Sequence, residues 1–384
     1  MISYLQYIGT WILRCMLNVL NVFPIKNNRV VFYSFNGKQY SCNPRRISEL
    51  LESRNPGKYE IIWAFKDVEM HRDELPKYVK GVTYRSPKYY FFAKTARVVV
   101  FNVQGIGELS RRSGQTFIQT WHASNGYKRA GQYSGIKQKM YLLQHRDYSY
   151  VLSGAKSMSE RRVRGSMQFK GPILPGTPRM DAMINRNLVG VREKVYAWLK
   201  IDPDCKLLLY APTWRKNRNA TEYGFDYELV KARMEERFGG RWVIAVRLHP
   251  NVYRDVNVEL ENVRDATAYP DMEELTYVAD AMVSDYSSCI WDYSFTYRPC
   301  FLLCTDLKDY DGTRNFDLPI ESWGFPVCIS SAQLGDAILS YDEQAHRRAM
   351  EKHHEDMGSL EDGHATERVC ALIEGIMDRR KEQK

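Results

Sequence analysis

Two series of short apolar segments, each alternating with helical patterns, constrain the fold of this sequence more than any other feature. Strands that alternate with helices pair in parallel and carry helices on the faces of the sheet. At 384 residues the chain is too long for one comfortable core, so two series predict two domains. We therefore expect an α/β fold of two doubly wound domains, with ligands at the carboxyl ends of strands facing a cleft.

The first series begins after Pro24 and the second near Lys206, and we place the boundary between residues 185 and 205. The predicted strands are Arg29–Phe35, Glu60–Phe65, Val98–Phe101, Thr116–Thr120, Tyr148–Leu152, Leu207–Tyr210, Trp242–Val246, Ala281–Val283 and Cys300–Leu303. The predicted helices include Pro44–Ser53, Ser86–Ala96, Tyr227–Phe238, Met272–Ala279 and Ser288–Phe295.

The N-terminal segment, residues 2–23, is strongly apolar but contains Arg14, Asn18 and Asn21. It lacks the basic beginning and the small-residue cleavage site of a signal peptide. A membrane-spanning helix is possible in length, yet an arginine near its middle would be costly. We expect an amphipathic, membrane-associating helix that lies at an interface, followed by Lys26 and Arg29. Packing against the first domain is the alternative.

The net charge of +9 and the pairing of basic residues suit a phosphate-rich partner. That partner could be anionic lipid, nucleic acid or a phosphorylated substrate, and charge alone does not choose among them. No nucleic-acid-binding module is visible. The basic pairs are Arg45-Arg46, Arg111-Arg112, Lys128-Arg129, Arg161-Arg162 and Arg215-Lys216.

Eight scattered cysteines show neither a CxxC pair nor zinc-like spacing. Cys300 and Cys304 lie in a strand-like run and are interpreted as small buried apolar groups. This usage of cysteine indicates a reducing compartment.

The segment Val283–Asp292 places Ser287 and Ser288 between an apolar strand and a helical pattern. Hydroxyl groups and unpaired backbone N–H groups at a helix N-terminus favour an anion. The phosphate of a nucleotide-activated substrate would fit there. The alternative is that Asp285 or Ser287 serves only as an N-cap.

A second motif, Gln119–Arg129, places His122 just after a predicted strand. A histidine at a strand end can take a proton from an attacking hydroxyl, because its pKa lies near working pH. Asn125 and Gly126 would let the backbone approach a ligand, and Lys128 and Arg129 could hold an anionic acceptor. A turn with a solvated or buried histidine is the alternative.

Two more motifs, Tyr210–Arg215 and Val246–Pro250, also end apolar strands in polar groups. Together with the serines at 287 and 288 they are expected to converge on one edge of the cleft. The turn Gly176–Asp181 carries Arg179, which could reach a phosphate bidentately but is equally compatible with an ordinary helix start. The residues expected to converge are Thr213, Arg215, Arg247, His249, Ser287 and Ser288.

Other catalytic and metal motifs are missing or weak. There is no Walker sequence, no complete GxGxxG and no HExxH. His353 and His354 lie on a charged helical segment, and we expect them to be exposed to solvent. Asp202-Pro-Asp204 imitates a metal-binding DxD motif, but it precedes a strand and is expected to be a turn. We expect no obligatory metal, with helix N-termini and Arg or His donors balancing the phosphate charge.

Together these segments resemble the CDP-glycerol glycerophosphotransferase family, which includes the teichoic acid primases and polymerases. The correspondence runs from Asn43-Pro44 to Asp362-Gly363. Gln119–Gly131 resembles the first histidine motif of the family in its longer variant. The other signatures follow in order as Gly176–Asp181, Tyr210–Arg215, Arg247–Pro250, Asp285–Asp292 and Asp306–Tyr310, the last followed by Arg314.

The resemblance implies a GT-B type fold of two Rossmann-like domains, and transfer of glycerol phosphate from CDP-glycerol to a hydroxyl of a membrane-linked acceptor. The acceptor hydroxyl would attack the β-phosphorus and release CMP. We expect an amphipathic helix at 1–25, an acceptor-side domain at 26–195 and a CDP-polyol-binding domain at 196–384. The expected partners are CDP-glycerol or CDP-ribitol, a lipid-linked polyprenyl-phosphate saccharide and the cytoplasmic membrane surface, without nucleic acid or cofactor.

Site residues are carried over motif by motif. His122 is expected to be the catalytic base, with His249 as a second catalytic residue. Lys128 and Arg129 are expected to bind the acceptor. The expected donor-binding residues are Ala123, Ser124, Asn125, Gly126, Arg179, Pro212, Thr213, Arg215, Arg247, Ser287, Ser288 and Asp292.

Two departures from the family pattern concern the polyol and the acceptor. Many members have Gly-Thr-Pro where this chain has Ala123-Ser124-Asn125, and this variant also resembles enzymes that handle ribitol phosphate. The acidic stretch after Arg314 is reduced here to Asp317 and Glu321. A GT-B glycosyltransferase that uses a nucleotide sugar and a non-enzymatic basic binding protein are the competing hypotheses.

Overall fold

The computed structural model of the chain describes residues 4–105, 107–129, 133–213, 224–248, 261–314 and 316–378. The chain divides into two compact units. Unit 1 contains Met1–Ser124, Ala130–Ala182 and Leu360–Lys384, and unit 2 contains Asn125–Arg129 and Met183–Ser359. Each unit is built on one parallel sheet, which confirms the predicted pair of α/β domains.

The sheet of unit 1 has seven parallel strands in the order β3-β2-β1-β4-β5-β6-β7. The order reverses direction between β1 and β4, and such a switch point opens a crevice at the carboxyl ends of the strands. The strands are β1 (Lys26–Tyr33), β2 (Glu60–Phe65), β3 (Val79–Thr83), β4 (Ala96–Phe101), β5 (Thr116–Gln119), β6 (Tyr150–Ser153) and β7 (Ile173–Pro175).

The sheet of unit 2 has six parallel strands in the order β10-β9-β8-β11-β12-β13. Its switch point lies between β8 and β11, which pair along Ala281–Ser284. The strands are β8 (Lys206–Ala211), β9 (Trp242–Val246), β10 (Val263–Asp265), β11 (Ala281–Ser284), β12 (Cys300–Leu303) and β13 (Val327–Cys328).

Helices follow most of these strands, as the sequence pattern predicts. Short 3-10 segments lie at Asn18–Val22, Glu69–Glu74 and Ile320–Trp323, and a π-helix at Ser159–Ser166. The α-helices are α1 (Tyr4–Leu17), α2 (Cys42–Arg54), α3 (Pro87–Thr95), α4 (Gly135–His145), α5 (Lys156–Met158), α6 (Pro178–Asn185), α7 (Val191–Leu199), α8 (Tyr227–Phe238), α9 (Met272–Val278), α10 (Cys289–Ser294), α11 (Leu307–Arg314), α12 (Ser331–Leu339), α13 (Glu343–Met357) and α14 (Ala365–Asp378).

The C-terminal helix α14 belongs to unit 1, whereas the sequence-based boundaries placed it in a domain at 196–384. Its apolar face, including Val369, Cys370 and Ile373, is buried in the same core as Val30 and Trp63. Burial of this apolar face stabilises α14 in unit 1. The position of the helix along the chain does not indicate which core its apolar face enters. Residues 183–195 lie with unit 2 rather than with the domain predicted at 26–195.

Helix α1 presents one apolar face to solvent rather than to the rest of unit 1. Leu5 is 80% exposed and Ile12 is 56% exposed, whereas Arg14 on the opposite face is buried. The Arg14 guanidinium donates to the main-chain carbonyl oxygen of Gly107 and pairs with Asp147. None of the helices in the described ranges is long and apolar enough to cross a membrane.

Candidate active site

The ring of His122 lies at the carboxyl-terminal edge of the unit 1 sheet. It follows β5 by way of Thr120 and Trp121, and Trp121 has a left-handed φ of 55°. The Nδ1 atom of His122 lies 2.7 Å from the main-chain carbonyl oxygen of Asn102. The rings of Trp121 and Phe35 lie against the imidazole, with centroids 4.9 and 5.5 Å away. These contacts fix the ring plane.

The protonation state of His122 follows from these contacts. Desolvation lowers its pKa to about 4, and the positive charges of Arg179 and Arg162 act in the same direction, while the bond to Asn102 opposes them. The imidazole is therefore neutral at neutral pH. Because a carbonyl oxygen can only accept, Nδ1 carries the proton, and the lone pair resides on Nε2. Within the described ranges, Nε2 has no hydrogen-bond partner.

Asn102 holds this edge together at the switch point between β1 and β4. Its side-chain Nδ2 donates to the hydroxyl of Ser34 at 2.8 Å. Its Oδ1 accepts the backbone N–H of Phe35 at 2.8 Å. With its side chain occupied in this way and fully buried, Asn102 presents its main-chain carbonyl to His122 in a fixed direction.

Asn43, at the start of α2, connects the histidine segment to the start of α6. Its buried Nδ2 donates to the carbonyl oxygens of Thr120 and Trp121 at 3.0 and 2.9 Å. Its Oδ1 accepts the backbone N–H of Arg179 at 2.9 Å. One amide side chain therefore positions both His122 and Arg179, whose charge lowers the pKa of that histidine.

Ala123 and Ser124, two of the expected donor contacts, are both buried in unit 1. The hydroxyl groups of Ser124 and Thr177 lie 2.7 Å apart. Glu361 accepts from the backbone N–H and the hydroxyl of Thr177 at 2.9 and 2.7 Å. The hydroxyl of Ser124 is thus part of a buried hydrogen-bond network that runs through Thr177 to Glu361, in the segment just before α14.

The rest of the histidine motif, residues 125–129, belongs to unit 2. Tyr127 stacks on Trp323 with centroids 4.0 Å apart, and its hydroxyl lies 2.9 Å from Nε2 of His353. Lys128 lies over the ring of Tyr310, and Arg129 is 3.7 Å from Asp317. Asn125 is fully buried. A Cβ built on Gly126 would meet no described atom within 4 Å.

In unit 2, three strand ends bring predicted donor contacts to one edge of the sheet. Pro212 and Thr213 follow β8, Arg247 follows β9, and Ser287 and Ser288 follow β11. Because β9, β8 and β11 are adjacent and parallel, their carboxyl ends lie side by side. The switch point between β8 and β11 lies within this group.

Thr213 and Asp285 link two of these strand ends directly. Both oxygens of the Asp285 carboxylate lie 2.9 Å from the backbone N of Thr213, and the Thr213 hydroxyl donates to Oδ1 at 2.6 Å. The hydroxyl proton of Thr213 therefore points to a carboxylate inside the protein. Asp285 is almost fully buried, so this contact is well shielded from water.

Arg247 is held by main-chain oxygens of its own unit. One guanidinium nitrogen, Nη1, donates to the carbonyls of Ala266 and Tyr269 at 3.1 and 2.6 Å. Burial lowers the pKa of the guanidinium from its ordinary value. An arginine remains charged under such a shift, so Arg247 places a fixed positive charge beside β9.

The serine pair stands at the start of the six-residue helix α10. The Ser287 hydroxyl accepts the N–H of Cys289 at 3.4 Å, and Ser288, the N-cap, makes no side-chain capping bond. Asp285 binds Thr213 of the neighbouring strand end. Asp292 is buried one turn further on.

His249 and Arg215 lie outside the described residues, as do Trp214 and Pro250. Arg179, in contrast, is nine-tenths buried at the start of α6, in unit 1, while Arg247 and the serines belong to unit 2.

The expectation that His353 and His354 are exposed is wrong. Both are buried, at 2% and 8% exposure. His353 bonds Tyr127, and Nε2 of His354 lies 2.6 Å from the hydroxyl of Ser294. The charged residues of α13 lie on its other face, and the sequence pattern conceals this because charged and buried positions alternate along the helix.

Two other expectations are confirmed. Asp202-Pro-Asp204 forms a turn before β8, in which Asp202 accepts the N–H of Asp204 at 3.0 Å. Cys300 and Cys304 are fully buried.

Among the described residues, no group of three or more His, Cys, Asp or Glu side chains is arranged to hold a metal ion.

Sequence reasoning did not single out Asn102, Arg162, Glu361 or the role of Asn43. Asn43-Pro44 was noted only as the start of the family correspondence, and Arg162 only as part of a basic pair. In the structure, Arg162 lies over the Trp121 ring at 4.4 Å. These positions depend on tertiary contacts between segments far apart in the chain.

Comparison with known proteins places these observations in a family. Residues 15–375 match the CDP-Glycerol:Poly(glycerophosphate) glycerophosphotransferase family. The chain is 30% identical over 316 residues to the teichoic acid poly(glycerol phosphate) polymerase of Bacillus subtilis (strain 168), covering 78% of this chain and 42% of that protein. It is 28% identical over 373 residues to the teichoic acid glycerol-phosphate transferase of Staphylococcus aureus (strain NCTC 8325 / PS 47), covering 92% and 95%.

Ribitol-phosphate polymerases are also among the matching relatives. The chain spans about half the length of the polymerases of Bacillus subtilis and Staphylococcus epidermidis, 42% and 51% respectively. The solved structure of the wall teichoic acid polymerase TagF is similar, with a TM-score of 0.83 at 25% identity, over 98% of this chain and 97% of that one.

Proposed function

Because this chain belongs to the CDP-Glycerol:Poly(glycerophosphate) glycerophosphotransferase family, we propose that it transfers glycerol phosphate from CDP-glycerol to a hydroxyl of a membrane-linked acceptor. The acceptor oxygen attacks the β-phosphorus, the bond from that phosphorus to the bridging oxygen breaks, and CMP leaves. The product extends a teichoic acid or a related phosphopolymer. The observation that carries the proposal is the neutral His122, with its proton on Nδ1 and its lone pair on Nε2.

In this reaction, His122 acts as the general base. A general base must accept a proton. Because Nδ1 donates its proton to the carbonyl oxygen of Asn102, the lone pair that can accept the proton of the acceptor hydroxyl is on Nε2. The pKa of His122, lowered to about 4 by desolvation, keeps the imidazole unprotonated at neutral pH. A bound anionic substrate would raise this pKa toward neutrality, because a nearby negative charge favours the protonated form.

The donor-binding role is proposed for the strand ends of unit 2. Arg247 supplies fixed positive charge, and Ser287 and Ser288 supply hydroxyl groups at the same edge. Transfer of a phosphoryl group depends mainly on positioning and on balancing charge, which these groups can provide. His249, Arg215, Pro212 and Asp292 are included by the family correspondence.

Thr213 takes a positioning role in this proposal. Its hydroxyl proton is donated to Asp285 at 2.6 Å, so the same proton is not available to a phosphate oxygen. We therefore assign Thr213 to holding the ends of β8 and β11 in register. Its contact with CDP-glycerol would use the remaining lone pair or the methyl group.

Residues of the histidine motif complete the proposed site. Gly126 would allow the donor to approach the backbone, because it has no side chain and no described atom lies within 4 Å of the position that its Cβ would take. Lys128 and Arg129 would attract the anionic acceptor. Ser124 would act through Thr177 rather than as a direct contact. Unit 1 is proposed as the acceptor side and unit 2 as the CDP-polyol side.

A peripheral location at the cytoplasmic face of the membrane is proposed from the orientation of α1. Leu5, Ile8, Ile12 and Met16 recur every three or four residues along α1, so they form one apolar stripe, and all are more than half exposed. Arg14 holds the opposite face through Gly107 and Asp147. Arg14 thus attaches one face of α1 to the rest of unit 1, and the apolar stripe faces outward. This orientation is the one expected of a helix that lies at a lipid interface.

Removing the stripe tests this location without removing the helix. The variant Leu5→Ser/Ile8→Ser/Ile12→Ser keeps Arg14 and should move the protein from membrane to soluble fractions. The matched control Thr10→Ser changes a residue on the docked side. An unchanged membrane fraction for the triple variant would contradict the proposed role of α1.

Two alternatives concern the substrate. CDP-ribitol is the alternative donor, since Ala123-Ser124-Asn125 resembles the variant motif and ribitol-phosphate polymerases are among the relatives. The test is to incubate the protein with CDP-glycerol or CDP-ribitol and a lipid-linked acceptor, and to identify the product by mass spectrometry. Addition of glycerol phosphate supports the proposal, whereas addition of ribitol phosphate alone reassigns the donor. A GT-B glycosyltransferase would instead release a nucleoside diphosphate from a nucleotide sugar.

A further inference from the structure

An open groove of about 620 Å³ lies in unit 1 beside α1, apart from the segment that carries His122. Tyr7 and Trp11 of α1 line it on one side. Residues of α4 and of the loop 167–171 line the rest. The proposed transfer reaction gives this groove no role.

The groove combines an apolar lining with cations. Leu142 and Leu143 lie between Lys139 and Arg146 in the sequence. Their spacing of three and four residues places Lys139, Leu142 and Leu143 on one face of α4, and Arg146 directly follows the end of this helix. Lys170 adds a third cation from the loop. No acidic side chain is among the described residues that line the groove.

The three cations are exposed and make no ion pair with the described residues. Arg146 lies over the Trp11 ring, with its guanidinium carbon 5.8 Å from the ring centroid. Arg164 fixes the loop, because its Nη1 donates to the carbonyl oxygens of Phe169 and Gly171 at 2.7 and 2.9 Å. The site is therefore preformed on one side and positively charged at its rim.

Trp11 and Tyr7 connect this groove to the outward apolar stripe of α1. Both residues lie on the same helix as Ile8 and Ile12, which are more than half exposed. Tryptophan and tyrosine are enriched where a protein meets the headgroup region of a bilayer. An occupant of the groove would thus lie where α1 meets the lipid.

We propose that this groove binds one anionic glycerophospholipid, with its phosphate between Lys139, Arg146 and Lys170 and the start of an acyl chain against Trp11 and Leu142. Charge complementarity selects an anionic headgroup, and the apolar lining selects a chain-bearing molecule over a free phosphate. The inference rests on the proposed membrane location of α1 but not on the transfer chemistry. Binding of this lipid would fix the depth and rotation of unit 1 at the membrane.

The test measures binding of the full chain to vesicles of phosphatidylcholine with and without about 30% of the anionic lipid phosphatidylglycerol. The groove variant is Lys139→Glu/Arg146→Glu/Lys170→Glu. The charge-matched control is Lys66→Glu/Lys77→Glu/Lys308→Glu, three exposed lysines that do not line the groove. Each basic residue near an anionic surface is worth about fivefold in binding. Because the groove variant reverses three such charges, we expect its binding to fall by at least about 100-fold. We expect the control to lose much less.

A second arm separates a lipid from a soluble phosphate. Calorimetry with dihexanoylphosphatidylglycerol below its micelle concentration should show saturable binding by the wild type and none by the groove variant. Dihexanoylphosphatidylcholine and sn-glycerol 3-phosphate should bind at least about tenfold more weakly. Equal losses in the two triple variants would overturn the proposal, and so would equal binding of the two lipids or tight binding of glycerol phosphate.

CMP release from CDP-glycerol in detergent solution is measured on the same proteins. If the groove variant releases CMP normally but the lipid does not bind the wild type, only the lipid proposal fails. If the lipid binds and CMP is not released by any of the proteins, only the proposed function fails.

Discussion

The Nδ1 atom of His122 lies 2.7 Å from the main-chain carbonyl oxygen of Asn102, and this bond determines which nitrogen of the ring can accept a proton. Asn102 is itself fixed by bonds to Ser34 and Phe35 at the strand switch point. Since β1, β4 and β5 are adjacent in the sheet, the orientation of the proposed base is determined by the sheet rather than by its loop alone.

Replacing His122 by alanine should reduce turnover by about 10²- to 10⁴-fold, the usual contribution of a general base. Binding of CDP-glycerol should change little, because Asn102 and Asn43 remain to hold the surrounding backbone. Steady-state release of CMP and equilibrium binding of the donor measure the two effects separately. His364→Ala, an exposed histidine, is the matched control. Near-normal CMP release by His122→Ala would refute the assignment of the base.

Gly126→Ala separates a functional role of this glycine from a structural one. The added Cβ would meet no described atom within 4 Å, so thermal stability should be unchanged. If the donor approaches the backbone there, the methyl group should raise KM for CDP-glycerol about tenfold, the result of roughly 1.4 kcal/mol of lost contact. Gly375→Ala, also in open space, should leave KM unaltered. Wild-type kinetics for Gly126→Ala would remove this residue from the donor site.

Thr213→Val should destabilise unit 2 by about 1.5 kcal/mol, because it removes a hydrogen bond to the buried carboxylate of Asp285. Thr213→Ser keeps the hydroxyl and should retain most of the stability. Urea denaturation of the three proteins provides the comparison, with the exposed Thr83→Val as a control for the substitution itself. A valine variant as stable as the wild type would show that the contact contributes nothing.

Stability should fall as the pH drops from about 7 to about 4, in part because of His353 and His354. Burial lowers the pKa of each to about 4, whereas an unfolded histidine has a pKa near 6.5. Between these values the unfolded chain binds protons that the folded chain excludes, so the free energy of unfolding decreases with falling pH. Two such groups contribute a slope of up to about 2.7 kcal/mol per pH unit, because each proton that only the unfolded chain binds is worth about 1.4 kcal/mol per pH unit.

The variant His353→Gln/His354→Gln tests this slope. Urea denaturation at pH 7.0, 6.0 and 5.0 should show a shallower loss of stability than in the wild type, although the variant is less stable at pH 7.0. Carboxylates titrate equally in both proteins, so the difference between the two slopes belongs to the histidines. Parallel pH dependences would contradict the neutral, buried state of the pair.

The sequence was sufficient to predict the central strands and the location of the polar strand ends. β2, β9 and β12 begin and end where the apolar runs do, because strands buried on both faces leave a continuous apolar signal. β3, β7, β10 and β13 were missed. They are short and lie at or near sheet edges, where partial exposure interrupts the apolar pattern.

The parts of the site that escaped prediction depend on contacts between distant segments. Asn43 meets Thr120 and Arg179 across 77 and 136 residues of sequence, and no local pattern distinguishes it from an ordinary helix-start asparagine. The same holds for Glu361, which binds Thr177 across 184 residues. Assigning α14 to unit 1 likewise requires knowledge of which core its apolar face enters.

The nucleotide released in the reaction tests the central claim most directly. The full chain is incubated with CDP-glycerol and a lipid-linked acceptor, and the nucleotide products are separated by ion-exchange chromatography. Attack at the β-phosphorus predicts one CMP released for each glycerol phosphate transferred to the acceptor. The His122→Ala variant should release CMP at least about 100-fold more slowly than the wild type. Release of CDP with transfer of glycerol alone, or CMP formation at the same rate by His122→Ala, would contradict the account.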